Sequence, residues 1–295
     1  MSFLKATPRN YRPKGGNCTV FRITAQNFRK WRTDYRILTI AVFLVILIFM
    51  YAEDFKALAG YLNCKAPVWI FPFLYTKSSA KILFTLPVIL LFCDAPFIDG
   101  NQLFVMIRAT RTKWLCGQVL YIISAGGVYY FFIFAVSVLS MIIFGEPSLD
   151  WGRALTAAAY DSSIITAAEV YSLNVSRLTV EFFTPLLACF YTFVMSWLSA
   201  VFLGLLIFAC NLISGSRVWG IAAGAFFVVL TLVAKLRRHL DRFSPITWST
   251  LDGIDVAGLT ARPRIGYCLG AYAVLIFGLT AAIFISRGRV ALTAD

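Results

Sequence analysis

Histidine occurs once in this chain, at His239, and aspartate and glutamate together occur only 14 times in 295 residues. A single imidazole leaves no histidine-based metal site and no histidine relay. No Gly-x-x-x-x-Gly-Lys-Ser/Thr run is present, so the usual backbone cradle for ATP phosphates is missing. Charged residues make up 14% of the sequence, against about 25% in an ordinary soluble domain. None of the acids is expected at the middle of an apolar stretch, the position that ion-coupled carriers use. The outer acids Asp150, Asp161, Glu169, Asp252 and Asp255 are too dispersed in sequence to assemble an interfacial lipid-acting site. The seven cysteines are odd in number and widely spaced, which fits small apolar filler better than a disulfide framework or a zinc ligand set.

Apolar residues are present in excess. They make up 60% of the chain, with a mean hydropathy of +0.78, and they fall in blocks long enough to cross a hydrocarbon core at 1.5 Å per residue. The expected spans are 37–51, 82–98, 114–144, 181–213, 218–234 and 265–285. The predicted class is therefore all-α: a polytopic membrane protein with six transmembrane helices and an N-terminal amphipathic interfacial helix. Residues 1–36 read as a cytoplasmic tail with that helix, and 37–295 as the transmembrane domain, with outer loops 52–81, 145–180 and 235–264. The first apolar run lies behind a polar segment too long for a signal peptide, so it is expected to stay as an anchor. The stretch Pro67–Tyr75 is apolar but short and twice interrupted by proline, and reads as interfacial. Trp31, Trp69, Trp114, Trp151, Trp219 and Trp248 all fall near expected interfaces, as aromatic belts do.

Lys and Arg number 27, for a formal net charge of +13. They lie between apolar blocks, so lipid headgroups are expected as their partners and nucleic acid is not. Fifteen fall on the side of the N-terminus and twelve on the other, and nine of the fifteen are in residues 1–36. By the positive-inside rule both termini are expected in the cytoplasm. The basic run 235–242, placed outside, works against that orientation.

Two cytoplasmic segments have the pattern of docking surfaces. In 19–36, Phe21, Ala25, Phe28, Trp31 and Tyr35 share one arc, and Arg22, Arg29 and Arg36 another, with Arg32 off both. In 94–114, Leu103, Met106 and Ile107 can face lipid or a partner while Arg108, Arg111 and Lys113 stay wet. Asp94 reads either as the N-cap of a helix after Pro96 or as a pathway or interface residue. Gly220/Gly224 and Gly266/Gly270 are small-xxx-small pairs, suited to helix packing within the chain or against a second subunit.

Asp94, Pro96, Ile107, Arg108, Arg111, Trp114, Gly117 and Gln118, with Ser244-Pro245-Ile-Thr-Trp248 in the last outer loop, resemble the permease subunits of type-2 ABC exporters. The resemblance implies a second permease subunit, identical or paralogous, and two soluble ATP-binding cassette ATPases. ATP and Mg would be held in those partners and no cofactor in this chain. It implies ATPase docking through Phe28, Trp31, Asp94, Arg108, Arg111 and Trp114, and a place in a bacterial cell membrane. A stand-alone secondary transporter or channel is the alternative.

Overall fold

A backbone in lipid has no water to bond with, so apolar stretches that cross a membrane must close their own hydrogen bonds, and a helix does so within one segment. The computed structural model describes residues 16–97, 110–146, 149–170, 173–236, 238–255, 258 and 262–289. In chain order its helices are α1 (Gly16–Lys30), α2 (Tyr35–Tyr61), α3 (Ser78–Phe92) and α4 (Arg111–Ile142). Then come the short α5 (Gly152–Tyr160), α6 (Ser163–Ala167) and α7 (Arg177–Phe182), followed by α8 (Pro185–Ser214), α9 (Arg217–Leu236) and α10 (Ile265–Ile285). Of these, α2, α4, α8, α9 and α10 are long and apolar enough to cross a bilayer. The molecule is an all-α, multi-pass membrane protein.

Local chemistry sets the ends of these helices. Asp34 caps α2 by accepting from the Arg36 amide, and Thr110 caps α4 by accepting from the Lys113 amide. Pro185 opens α8, and Gly215 closes it in the left-handed region at φ 70°. The central helix is α8, whose most apolar window is 67% buried, against 17–39% for the other four long helices. Gly204 sits at a close crossing: an added Cβ would lie 2.6 Å from Ile122 and 2.9 Å from Phe92.

The strands β1 (Ala66–Pro67) and β2 (Gly145–Glu146) pair in parallel, Ala66 with Gly145. They follow α2 and α4, so these two helices run the same way and end together. This far end lies opposite α1.

Three boundaries differ from the hydropathy reading. Helix α2 runs on past Glu53 and Asp54 to Tyr61. There Lys56 pairs with Glu53 at 2.8 Å and lies 3.9 Å over the Phe144 ring, so both charges have local partners. The expected second span is α3, whose 15 residues cover about 22 Å, short of a core of about 30 Å. Residues 67–75 are not interfacial: Val68, Ile70, Phe71, Phe73, Leu74 and Tyr75 are all buried, and Tyr75 Oη bonds Ser196 Oγ at 2.8 Å. Trp114, Trp151 and Trp248 are likewise core residues and not belt residues, whereas Trp219 is exposed.

The last outer loop also turns inward. Ser244, Pro245, Ile246, Trp248, Thr250 and Leu251 are buried between α8, α9 and α10. Tyr272 Oη donates to the Pro245 carbonyl at 2.5 Å and Ser196 Oγ to that of Ser249 at 2.9 Å. Lys81, counted above as a loop charge, belongs to α3 and is only 5% exposed. Its Nζ donates to the Thr247 carbonyl at 3.1 Å and to Thr250 Oγ1 at 2.9 Å.

At the α1 end, the Asn211 carboxamide holds α3, α8 and α9 together. Its Nδ2 donates to the carbonyls of Cys93 (3.2 Å) and Ala95 (2.7 Å), and its Oδ1 accepts from the Gly220 amide at 2.9 Å. Replacing it with Leu strands three buried backbone groups, at about 1–3 kcal/mol each when wholly unpaired. Asn211→Leu is expected to lower the thermal midpoint of the detergent-purified chain by several degrees. An unchanged midpoint would remove Asn211 from the structural account.

Candidate functional site

Helix α1 ends at Lys30, one turn before α2, so 19–36 is not a single helix and Arg36 belongs to α2. The buried face of α1 is also not the arc that hydropathy picks out. Ile23, Thr24 and Asn27 are buried, while Phe21 and Tyr35 are 64% and 83% exposed. Thr24 Oγ1 donates to the Gly117 carbonyl at 3.1 Å, Asn27 Nδ2 to Gln118 Oε1 at 2.7 Å, and Trp31 Nε1 to Tyr121 Oη at 2.8 Å. Three polar bonds in a row therefore fix α1 along the first turns of α4. Close approach depends on Gly117, where a Cβ would lie 2.7 Å from Ile23 Cγ2. Phe28 packs edge-on to Tyr121 at 5.2 Å between ring centroids, and Phe97 packs on the same ring at 4.9 Å.

Asp94 lies just beyond α3 and gathers charge from two other elements. Its Oδ1 pairs with Arg217 Nη1 at 3.0 Å, its Oδ2 pairs with Arg36 Nη1, and Arg36 reaches Asp34 at 3.3 Å. Lys30 Nζ donates to the Phe97 carbonyl at 3.2 Å. These residues surround a cavity of about 250 Å³, lined also by Trp31, Leu90, Leu91 and Tyr121. The guanidiniums of Arg36 and Arg217 are half or more exposed, so each pair contributes below about 1 kcal/mol. The N-cap alternative for Asp94 concerns residues after Pro96 that fall outside the described residues.

Of the expected docking residues, Phe28, Trp31 and Asp94 are brought together around this cavity and the adjoining Tyr121 ring. Arg111 is exposed at the first position of α4, and Arg108 lies outside the described residues. Trp114 is fully buried, so it offers no docking surface. Gly220 and Gly224 pack within the chain: added Cβ atoms would lie 2.2 Å from Asn211 Oδ1 and 3.3 Å from Ile89. Gly266 and Gly270 meet nothing within 4 Å, so the two pairs do not pack on each other.

Thr24, Asn27 and Tyr121 carry this assembly with Gln118 and were not singled out from the sequence, and Gln118 was noted there only as part of the family resemblance. Asn27 and Gln118 recur at helical spacing with Ile23, Trp31 and Tyr121, but as polar residues they do not register in a hydrophobic pattern. No protein-family model, curated protein or solved structure matches this chain.

Gly117→Val is expected to push α1 off α4. Trypsin cleavage after Arg29 and Lys30 should then accelerate by roughly tenfold or more, since local opening governs such cleavage. Unchanged cleavage would show that Gly117 does not set the docking of α1.

Proposed function

We propose that this chain is the membrane permease of an ATP-driven exporter of the type-2 ABC class. It would act with a second permease subunit and with separate ATPase subunits that hold ATP and Mg. The observation that carries this reading is the seating of α1 on α4. The first segment with docking character, held against the helix that follows the second, forms a platform next to the start of the bundle. Its open side presents Phe21, Arg22, Ala25, Arg29 and Arg32, an aromatic and basic face suited to an acidic or amphipathic groove on a soluble partner. Arg111 opens α4 beside it, and Arg108 precedes it by three residues in the sequence.

In this reading the platform faces the cytoplasm of a bacterial cell with both termini on that side, an orientation that the Lys and Arg bias supports. Helix α10 is the least buried of the long helices, and Gly266, Gly270 and Gly278 lie open along it, which leaves room for a second permease subunit. The driving force would then enter through α1, pass to α4 through the three polar bonds, and reach α3 and α9 through Asp94.

Affinity purification of the full chain from its own membranes should bring down a soluble ATPase. Arg108→Glu with Arg111→Glu is expected to reduce that recovery roughly tenfold or more, because reversed interfacial charges cost several kcal/mol. Full retention of the ATPase in the double variant would refute docking through this platform.

A second reading, a stand-alone carrier, has one specific observation in its favour. Lys81 is a buried cation of the kind that ion-coupled carriers keep in the membrane. In liposomes without ATP, the purified chain should move no solute against its gradient. Uphill movement that disappears in Lys81→Met would establish the carrier reading in place of the exporter.

A further inference from the structure

At the far end of the bundle, a pocket of about 350 Å³ opens where α10 begins. Small-molecule sites run from roughly 300 to 1,000 Å³, so it exceeds what a single bound water needs. Its lining includes three arginines, Arg242, Arg262 and Arg264, with Tyr267 beside them. The one carboxylate in the lining is Asp255, whose residue is only 5% exposed and whose backbone amide donates to the Pro263 carbonyl at 2.9 Å. Arg262 is engaged by Asp252, at 3.1 Å from Nη1 to Oδ1. Arg242 and Arg264 are exposed and enter no ion pair among the described residues.

Two further features add positive potential at the same place. Arg264 is the N-cap of α10, makes no side-chain capping bond, and no acid occupies the first turn, so the positive end of that helix lies beside the pocket. Gly258, at φ +71°, turns the chain so that a Cβ there would lie 3.8 Å from Arg264 Nη2, and a larger residue would crowd that guanidinium. Tyr267 Oη donates to the Arg242 carbonyl at 3.1 Å, which ties the segment after α9 to the first turn of α10.

We propose that this pocket is an anion site for a phosphoryl group, held by the guanidiniums of Arg242 and Arg264 with Arg262 at its rim. Planar guanidinium forks match the oxygen spacing of phosphate and bind it in bidentate fashion. The location selects the same chemistry. Arg264 immediately precedes an apolar spanning helix, so the pocket lies at the depth where lipid phosphates sit. The basic run at 235–242, which opposes the charge bias of the rest of the chain, contributes Arg242 directly to this pocket. A membrane phospholipid headgroup and a free phosphate share the recognised group, and the experiment separates them.

The full chain, purified in detergent, is titrated with short-chain phosphatidylglycerol, short-chain phosphatidylcholine and inorganic phosphate, with binding read by native mass spectrometry. The wild type should bind the anionic lipid in preference to the zwitterionic one. Arg242→Gln with Arg264→Gln should weaken that binding roughly twenty-fold, about fivefold for each guanidinium near an anionic group. Arg242→Lys with Arg264→Lys, which keeps the charge but loses the fork, should bind more weakly than wild type and more tightly than the glutamine pair, and guards against misfolding. Arg153→Gln, a basic change elsewhere at the same end, should leave it unchanged. Inorganic phosphate binding that depends on the same two residues would identify a soluble anion as the ligand and also support the site. Equal binding by wild type and the glutamine pair, or no binding of any probe, overturns it.

Discussion

An apolar bundle has few places for a backbone amide or carbonyl that lacks a partner, and the Asn211 carboxamide supplies three such groups at once. Through it α3 can stop at Phe92 and turn, and α9 can begin close against α8. The closeness is strict, because no side chain fits at Gly220 beside Asn211 Oδ1. With α9 held there, Arg217 reaches Asp94, and Asp94 in turn meets Arg36 at the start of α2. The joining of α2, α3, α8 and α9 at the α1 end therefore turns on one buried amide side chain placed near the end of an apolar helix.

The two ends of the bundle are built on different physical terms. At the α1 end, half-exposed ion pairs, each below about 1 kcal/mol, join elements that lie far apart in sequence, and they can exchange partners at little cost. At the far end, the segment 244–251 is buried and tied by Lys81, Ser196 and Tyr272, whose polar groups would be stranded if it withdrew. In a permease driven from the cytoplasm, the adjustable contacts would stand where force enters and the costly ones where the far side must stay closed. The open face of α10 and the basic pocket at its start lie outside both sets of contacts.

Most of the architecture was legible before any coordinates. The apolar blocks marked four of the five long helices to within a few residues and missed the last ten residues of α2, because hydrocarbon demands that length of any spanning segment. Pro185 and Gly215 bracket α8 with residues whose backbone preferences are local. Errors arose where tertiary partners changed the cost of a residue. Glu53 and Asp54 suggested an end to α2, yet the helix continues there, with Lys56 placed to pair with Glu53. Lys81 read as a loop charge because its partners Thr247 and Thr250 lie more than 160 residues away. The apolar arc of 19–36 is not the face that α1 packs on the bundle: Phe21 and Tyr35 are exposed, and Thr24 and Asn27, with partners on α4, define that face.

The sequence by itself determined the solvent of this protein, its helical class and the placement of its long helices, since hydrophobic burial and local helix signals depend on nearby residues. Tertiary structure alone decided which face of α1 is buried, that 67–75 and 244–251 fold into the core, and that Arg242 and Arg264 share a pocket. Each of those outcomes depends on a polar group or a close approach between residues distant along the chain. Such a pairing leaves no periodic trace in either of the segments that make it.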